Sequence, residues 1–146
     1  MLRGNAPATI DEKGRLKVPA AFRRPLEERY GTLFFITSVD GQAVRVYPLS
    51  IWEKLEARIA SRPSFNRSVS RLSDLISYFG AETQMDRQGR LLISPHLRRS
   101  AGMDGEVAVL GKHDRLEVWN NERFLQRLEA NPLTEEDLRE LAELGL

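Results

Sequence analysis

Apolar positions in this chain fall in short alternating runs broken by turn residues, and longer helical stripes appear only between and after those runs. Ala8-Thr9-Ile10 and Arg15-Leu16-Lys17-Val18 predict two short strands around a turn over residues 11–14. Asp11 and Gly14 fit the first and fourth places of a type I turn, since Asp accepts from the turn amides and Gly tolerates positive φ. Pro19 stops the strand and starts a short helix over residues 20–24, which Pro25 limits. Residues 33–39 predict a strong strand, Asp40-Gly41 a hairpin turn and residues 43–47 the return strand. Ser50-Ile51-Trp52-Glu53 reads as a capping box for a helix to about residue 60, with Ile51, Trp52, Leu55 and Ile59 on one face. Ser64 is expected to cap the next helix, which carries Val69, Leu72, Ile76 and Phe79 at helical spacing.

The same plan then returns. Asp11-Glu12-Lys13-Gly14-Arg15-Leu16 is repeated 75 residues later as Asp86-Arg87-Gln88-Gly89-Arg90-Leu91. Phe22-Arg23-Arg24 is matched by Leu97-Arg98-Arg99, Pro19 by Pro95 one place displaced, and Val46-Tyr47 followed by Trp52 by Val118-Trp119 followed by Phe124. The second unit predicts strands over residues 82–85, 90–93, 106–110 and 116–119, with a short helix over 95–99. Asn120 or Asn121 caps a following helix, and Thr134-Glu135-Glu136-Asp137 caps a last one. The chain is therefore a duplicated unit: repeat one over residues 5–50, a helical linker over 51–79, repeat two over 80–123 and a helical tail over 124–146. Units of about 45 residues rarely bury enough apolar surface alone, so the two copies are expected to share one core as a pseudo-dimer.

Composition narrows the function classes. The 146 residues contain no cysteine, which excludes a disulfide framework and thiolate metal sites. No apolar run approaches the roughly 18 residues of a membrane span. The first residues lack the apolar stretch of a signal peptide, so a cytoplasmic protein is expected. Net charge is only +1, but it is unevenly spread. Residues 131–146 carry five acids and one base, −4, which leaves +5 on residues 1–130. His96 and His113 are isolated, so no metal site and no cofactor is expected, and nothing forms a catalytic set.

The paired Asp-x-x-Gly-Arg-Leu motifs, Met1-Leu2-Arg3-Gly4, Pro19 with Phe22-Arg23, and Gln84-Met85-Asp86 through Pro95 resemble the MraZ family of bacterial transcriptional regulators. Each repeat is similar to the swapped-hairpin domain of AbrB, SpoVT and the MazE antitoxins. The resemblance implies an α+β fold with a mainly β core, a double-split (swapped-hairpin) β-barrel made by the two tandem repeats. It implies a sequence-specific repressor of the division and cell wall gene cluster. Such a protein binds promoter direct repeats of double-stranded DNA as a ring-shaped homo-oligomer, cytoplasmic and associated with the nucleoid. It marks Asp11 with Arg15, and Asp86 with Arg90, as signature pairs.

The residues carry a physical reading of their own. Arg15 and Arg90, each on a strand just after a glycine turn, can bridge guanine N7 and O6 in the major groove. Lys13, Lys17, Arg3 and Arg87 can hold phosphates and fix register. The alternative is that Asp11 and Arg15 form a structural pair across the turn, with Gly14 and Gly89 shaping it. The two are compatible, because a held guanidinium is preorganised. Repeat two has Gln88 and Leu92 where repeat one has Lys13 and Lys17, so repeat one is expected to make most of the contact and Arg90 to be mainly structural or at a subunit interface. Arg23-Arg24 and Arg98-Arg99 are expected on solvated helix faces or in intersubunit ion pairs. Trp52, Trp119, Tyr47 and Phe34 are expected in the core or a subunit interface. A protein-binding, antitoxin-like module is the alternative function, although the C-terminus reads as a capped helix and not as a disordered toxin-binding tail.

Overall fold

The alternating runs of repeat one become β1 (Leu2–Ile10), β2 (Arg15–Lys17), β3 (Leu33–Thr37) and β4 (Val44–Pro48), with α1 (Ala20–Tyr30) between β2 and β3. Repeat two gives β5 (Ala81–Gln84), β6 (Arg90–Leu92), α4 (Pro95–Ala101), β7 (Gly105–His113) and β8 (Arg115–Asn120). Between the repeats lie α2 (Leu49–Ala60) and α3 (Arg67–Phe79); after them come α5 (Asn121–Ala130), α6 (Glu135–Leu141) and a closing 3-10 turn. This computed structural model describes all 146 residues.

Pairing crosses between repeats wherever it can. The strand order is β5-β3-β4-β8-β7-β1-β2-β6, all antiparallel. β1 of repeat one pairs with β7 of repeat two, and β5 of repeat two pairs with β3 of repeat one. The second strands pair with each other, as do the fourth strands. This is the exchange expected of two swapped halves about a pseudo-two-fold axis. β1 and β2 touch through one register pair, Ile10 and Leu16, and β5 and β6 approach without a ladder. The sheet therefore curls into a nearly closed barrel, split at two related places.

The axis passes beside Leu16 and Leu91, which face each other across β2 and β6 and are both fully buried. Val18 and Ile93, Phe22 and Leu97, and the register pairs Val44–Val118 and Val46–Leu116 join them in one cluster of 20 buried residues drawn from both repeats. Phe34 belongs to that core. Tyr47, Trp52 and Trp119 are also buried, but on the outer face of the barrel. Tyr47 meets Trp52 with ring centroids 5.3 Å apart, and Trp119 meets Phe124 at 5.2 Å, so each repeat seats its following helix with the same aromatic pair.

Several local expectations are corrected. β1 begins at Leu2 instead of Ala8, because β7 supplies a nine-residue antiparallel partner that no local signal announces. Pro25 does not end α1: Leu26 is buried, and Arg23–Glu27 and Arg24–Glu28 pairs bridge the proline on the outside. In repeat two, Gly102 adopts a left-handed conformation and ends α4 at the place where repeat one has Glu27. Ser50 makes no cap; α2 starts two residues earlier than such a cap implies, after Pro48, whose φ of −53° suits the helix entry. Asn66, not Ser64, caps α3 by accepting from the Val69 N–H. Asn120 and the Thr134–Asp137 box cap α5 and α6 as expected.

Leu16→Ala or Leu91→Ala removes a fully buried side chain at the axis, where the neighbouring strands cannot collapse inward. The expected cost is about 2–5 kcal/mol, read as a lowered urea midpoint. A cost below about 1 kcal/mol would mean that the two repeats do not share the core in the way described.

Candidate nucleic-acid interface

The two Asp-x-x-Gly-Arg turns are built alike, bond for bond. Asp11 Oδ1 accepts from the N–H groups of Lys13 (3.0 Å) and Arg15 (2.9 Å), while Oδ2 accepts from Arg15 Nε at 2.8 Å. Asp86 Oδ1 accepts from Gln88 and Arg90 N–H groups, both at 2.9 Å, and Oδ2 accepts from Arg90 Nε at 2.7 Å. The turn closes through Gly14 N–H to Asp11 carbonyl, and Gly89 N–H to Asp86 carbonyl. Each Asp therefore holds the base of its guanidinium and leaves both terminal nitrogens without a protein partner. The structural pair exists, and it leaves free the end of Arg that can bridge two acceptors.

Glycine is required at the fourth position for two reasons. Gly14 has φ +81° and Gly89 φ +76°. A Cβ on Gly14 would collide with the Arg98 guanidinium of the other repeat, and one on Gly89 would fall on the Arg23 side chain. Arg23 Nη2 donates to the Arg87 carbonyl at 2.8 Å, and Arg98 Nε donates to the Ile93 carbonyl at 2.9 Å. Val18 N–H donates to the Gly89 carbonyl and Ile93 N–H to the Gly14 carbonyl. Each short helix thus clamps the turn of the opposite repeat. Arg23 and Arg98 are not solvated helix residues, which corrects the expectation for them; Arg24 remains exposed, paired with Glu28. The repeated Phe22-Arg23 and Leu97-Arg98 were the signal, but which turn they reach depends on the crossing of the repeats.

Because β2 pairs antiparallel with β6, the two turns flank the ribbon at its opposite ends, Gly14 against Ile93 and Gly89 against Val18. Arg15 lies opposite Leu92, and Lys17 lies opposite Arg90. With Leu16 and Leu91 inward, these four residues face outward on a two-stranded ribbon. Over residues 11–17 and 86–92 there are five bases and three acids, and two of the acids, Asp11 and Asp86, are already bonded to their arginines. The third, Glu12, is exposed beside Lys13. Lys17 and Arg90 stand opposite each other across the strands, with the Asp86 carboxylate bonded to the Arg90 guanidinium and Lys17 exposed.

Comparison with known proteins places the chain in a family. The family model described as "MraZ protein, putative antitoxin-like" matches residues 1–75 and 80–143. The chain belongs to the MraZ family. It is similar to the protein named Transcriptional regulator MraZ of Acidobacterium capsulatum, 49% identical over the full length of both chains. It is 43% identical to that of Koribacter versatilis, again over the whole of both, and 35% identical to that of Tolumonas auensis, over 99% of this chain and 91% of the other.

Within this MraZ-family chain the expected site residues do not all come together. Arg15, Lys17, Lys13, Arg90 and Arg87 gather on the ribbon and its two turns. Arg3 does not: it sits at the far end of β1, paired with Lys112 of β7, about 20 Å along the strand from Ile10. Arg90 is held by its own aspartate as Arg15 is, and has the same 26% side-chain exposure; the two differ in facing Lys17 and Leu92 respectively across the ribbon. Repeat one's advantage in lysines is also offset, because Glu12 stands where repeat two has Arg87.

The Arg15 N–H is the main cause that holds the Asp11 carboxyl below the usual aspartate range, helped by the Arg15 guanidinium and opposed by partial loss of hydration. The Arg90 N–H and guanidinium do the same for Asp86. A lowered folded pKa gives stability that is present above the ordinary value, about 3.9, and is lost as pH falls through the lowered value. The melting-temperature deficit of an Asp11→Asn, Asp86→Asn double variant is therefore expected to be constant from pH 7 to about pH 5 and to shrink below about pH 4. A deficit unchanged at pH 3 would show that the carboxylate charge is not its source.

Gly89→Ala combines a disfavoured φ with displacement of Arg23. We expect a loss of more than about 1 kcal/mol, measured by thermal unfolding, with partial recovery when Arg23→Ala is added.

Proposed function

We propose that this chain is a sequence-specific DNA-binding transcriptional regulator. It acts as a repressor of the division and cell wall gene cluster and binds promoter direct repeats as a ring-shaped homo-oligomer on the nucleoid. The name carried by its relatives supports regulation of transcription. The observation that carries the DNA reading is the ribbon: two arginines, each gripped at Nε by its own aspartate, presented beside Lys17 with their terminal nitrogens unpartnered. A two-stranded β-ribbon fits the major groove, and a preorganised guanidinium can bridge guanine N7 and O6 there. Lys17, with Lys13 and Arg87 on the turns, is placed to meet phosphates and set register.

The broken symmetry supports direct repeats as the target. The pseudo-two-fold would favour a palindromic site, but Lys17 against Leu92 and Glu12 against Arg87 make the two halves of the ribbon unequal. An unequal reader has a direction, so copies arranged head to tail read the same sequence repeatedly in one orientation. One small ribbon binds weakly; several copies in one assembly gain by effective concentration. A curved assembly on straight duplex bends one or the other at a cost.

The test is a gel-shift titration on the DNA immediately upstream of the gene, against a scrambled competitor. Arg15→Ala and Arg90→Ala are each expected to remove roughly 1–3 kcal/mol of discrimination, about 5- to 150-fold per contact. Lys17→Ala is expected to weaken binding to every sequence and reduce the salt slope. Equal, salt-sensitive retention of both DNAs by wild type would overturn the reading. It would then favour the protein-binding alternative, a module of the antitoxin-like kind that the family description mentions.

A further inference from the structure

Two exposed segments of opposite charge lie outside the ribbon, and neither is used within the chain. The first is the outer end of the helical linker. The chain leaves the barrel at Trp52 near the start of α2 and returns at Phe79 at the end of α3, the only buried residues of those two helices. Residues 58–71, between them, hold Arg58, Arg62, Arg67 and Arg71 and no acid, a charge of +4. All four arginines are exposed, none is in an ion pair, and Phe65 in the intervening loop is 88% exposed. A crevice of about 120 Å³ opens between α2 and α3, bordered by Ile59 and Ile76.

The second segment is the tail. Residues 131–146 carry −4, and Glu135, Glu136, Glu140 and Glu143 are all exposed and unpaired. Neither α5 nor α6 has a buried residue, and Leu133, Leu138 and Leu144 are more than half exposed. α6 is seven residues long with a complete capping box, and its one extensive contact is with its own 3-10 extension. A helix of that length is marginal in water without a surface to cover its apolar side.

We infer that residues 131–146 of one copy dock on the α2–α3 end of a second copy of this chain, acidic helix against arginine cluster, with leucines of the tail against Phe65 and the crevice. The charges are equal and opposite, and both patches add apolar residues that nothing in their own chain covers. Within the chain α5 is seated on β7 and β8 through Phe124 and Trp119, whereas α2 packs on β3 and β4 and α3 on β3 and α4. Each copy gives a tail and receives one, so the contact is heterologous and propagates head to tail, closing into a ring when the rotation permits. The inference rests on the assembly part of the reading above and supplies its contact surface; it does not involve the ribbon.

Charge reversal tests it on the full-length chain, with mass measured by light scattering after gel filtration and folding followed by circular dichroism. Arg62→Glu with Arg67→Glu is expected to reduce the wild-type assembly to the mass of a single chain. Glu136→Arg with Glu140→Arg is expected to do the same, and the four substitutions together to restore the wild-type mass. Single reversals that keep the wild-type mass, or a four-fold variant that stays dissociated, would overturn this contact while leaving assembly through another face intact. A wild-type chain of monomer mass would overturn both the contact and the assembly. If Arg62→Glu with Arg67→Glu instead loses DNA retention and keeps its mass, the arginines serve phosphates and the contact is wrong.

Discussion

Neither repeat can complete a sheet from its own strands, and most of the molecule follows from that shortage. The first strand of each repeat finds its long partner in the third strand of the other: β1 with β7, β5 with β3. Backbone groups of a strand buried on one side must be paired somewhere, and inside one 45-residue unit there is no strand left to pair them. Exchange removes the shortage for both units at once. It also places Leu16 on Leu91 and makes one core out of two halves too small to be stable alone.

The same exchange builds the outward face. Pairing of β2 with β6 sets the two turns at the opposite ends of one ribbon, and the short helices then reach across, Arg23 to the Arg87 carbonyl and Arg98 alongside Gly14. Inward leucines and outward arginines alternate along the same three residues, so the packing that stabilises the barrel also orients the guanidiniums. Asp11 and Asp86 add the remaining constraint. Each satisfies two turn amides and one Nε, which fixes where its arginine stem leaves the surface. Rigidity of the turn and direction of the guanidinium have one cause.

Duplication within one chain differs in an important respect from a dimer of identical units. After the two halves were joined, each could change separately. Lys17 and Leu92 occupy equivalent positions on the ribbon but have different chemistry, and α1 runs on past Pro25 where α4 stops at Gly102. Leu16 and Leu91 are alike in both halves and face each other across the axis. Divergence is concentrated at the surface and at the helix ends, where a substitution does not have to match a partner.

Much was legible in the chain alone. The repeat, the glycine turns, the hairpin at Asp40-Gly41, the caps at Asn120 and Thr134, and the Asp–Arg pairs are set by residues within a few positions of each other, and short-range hydrogen bonding determines them. Other features needed the tertiary structure. The length of β1 depends on β7, about a hundred residues away; the role of Arg23 and Arg98 depends on which turn each helix crosses; and the separation of Arg3 from the ribbon depends on where β1 runs. Local chemistry chose the turns and the caps, because their donors and acceptors are neighbours in sequence. Only the folded chain could decide the crossings, because a strand edge will accept any partner of suitable pattern, and the shared burial of two incomplete halves selects one.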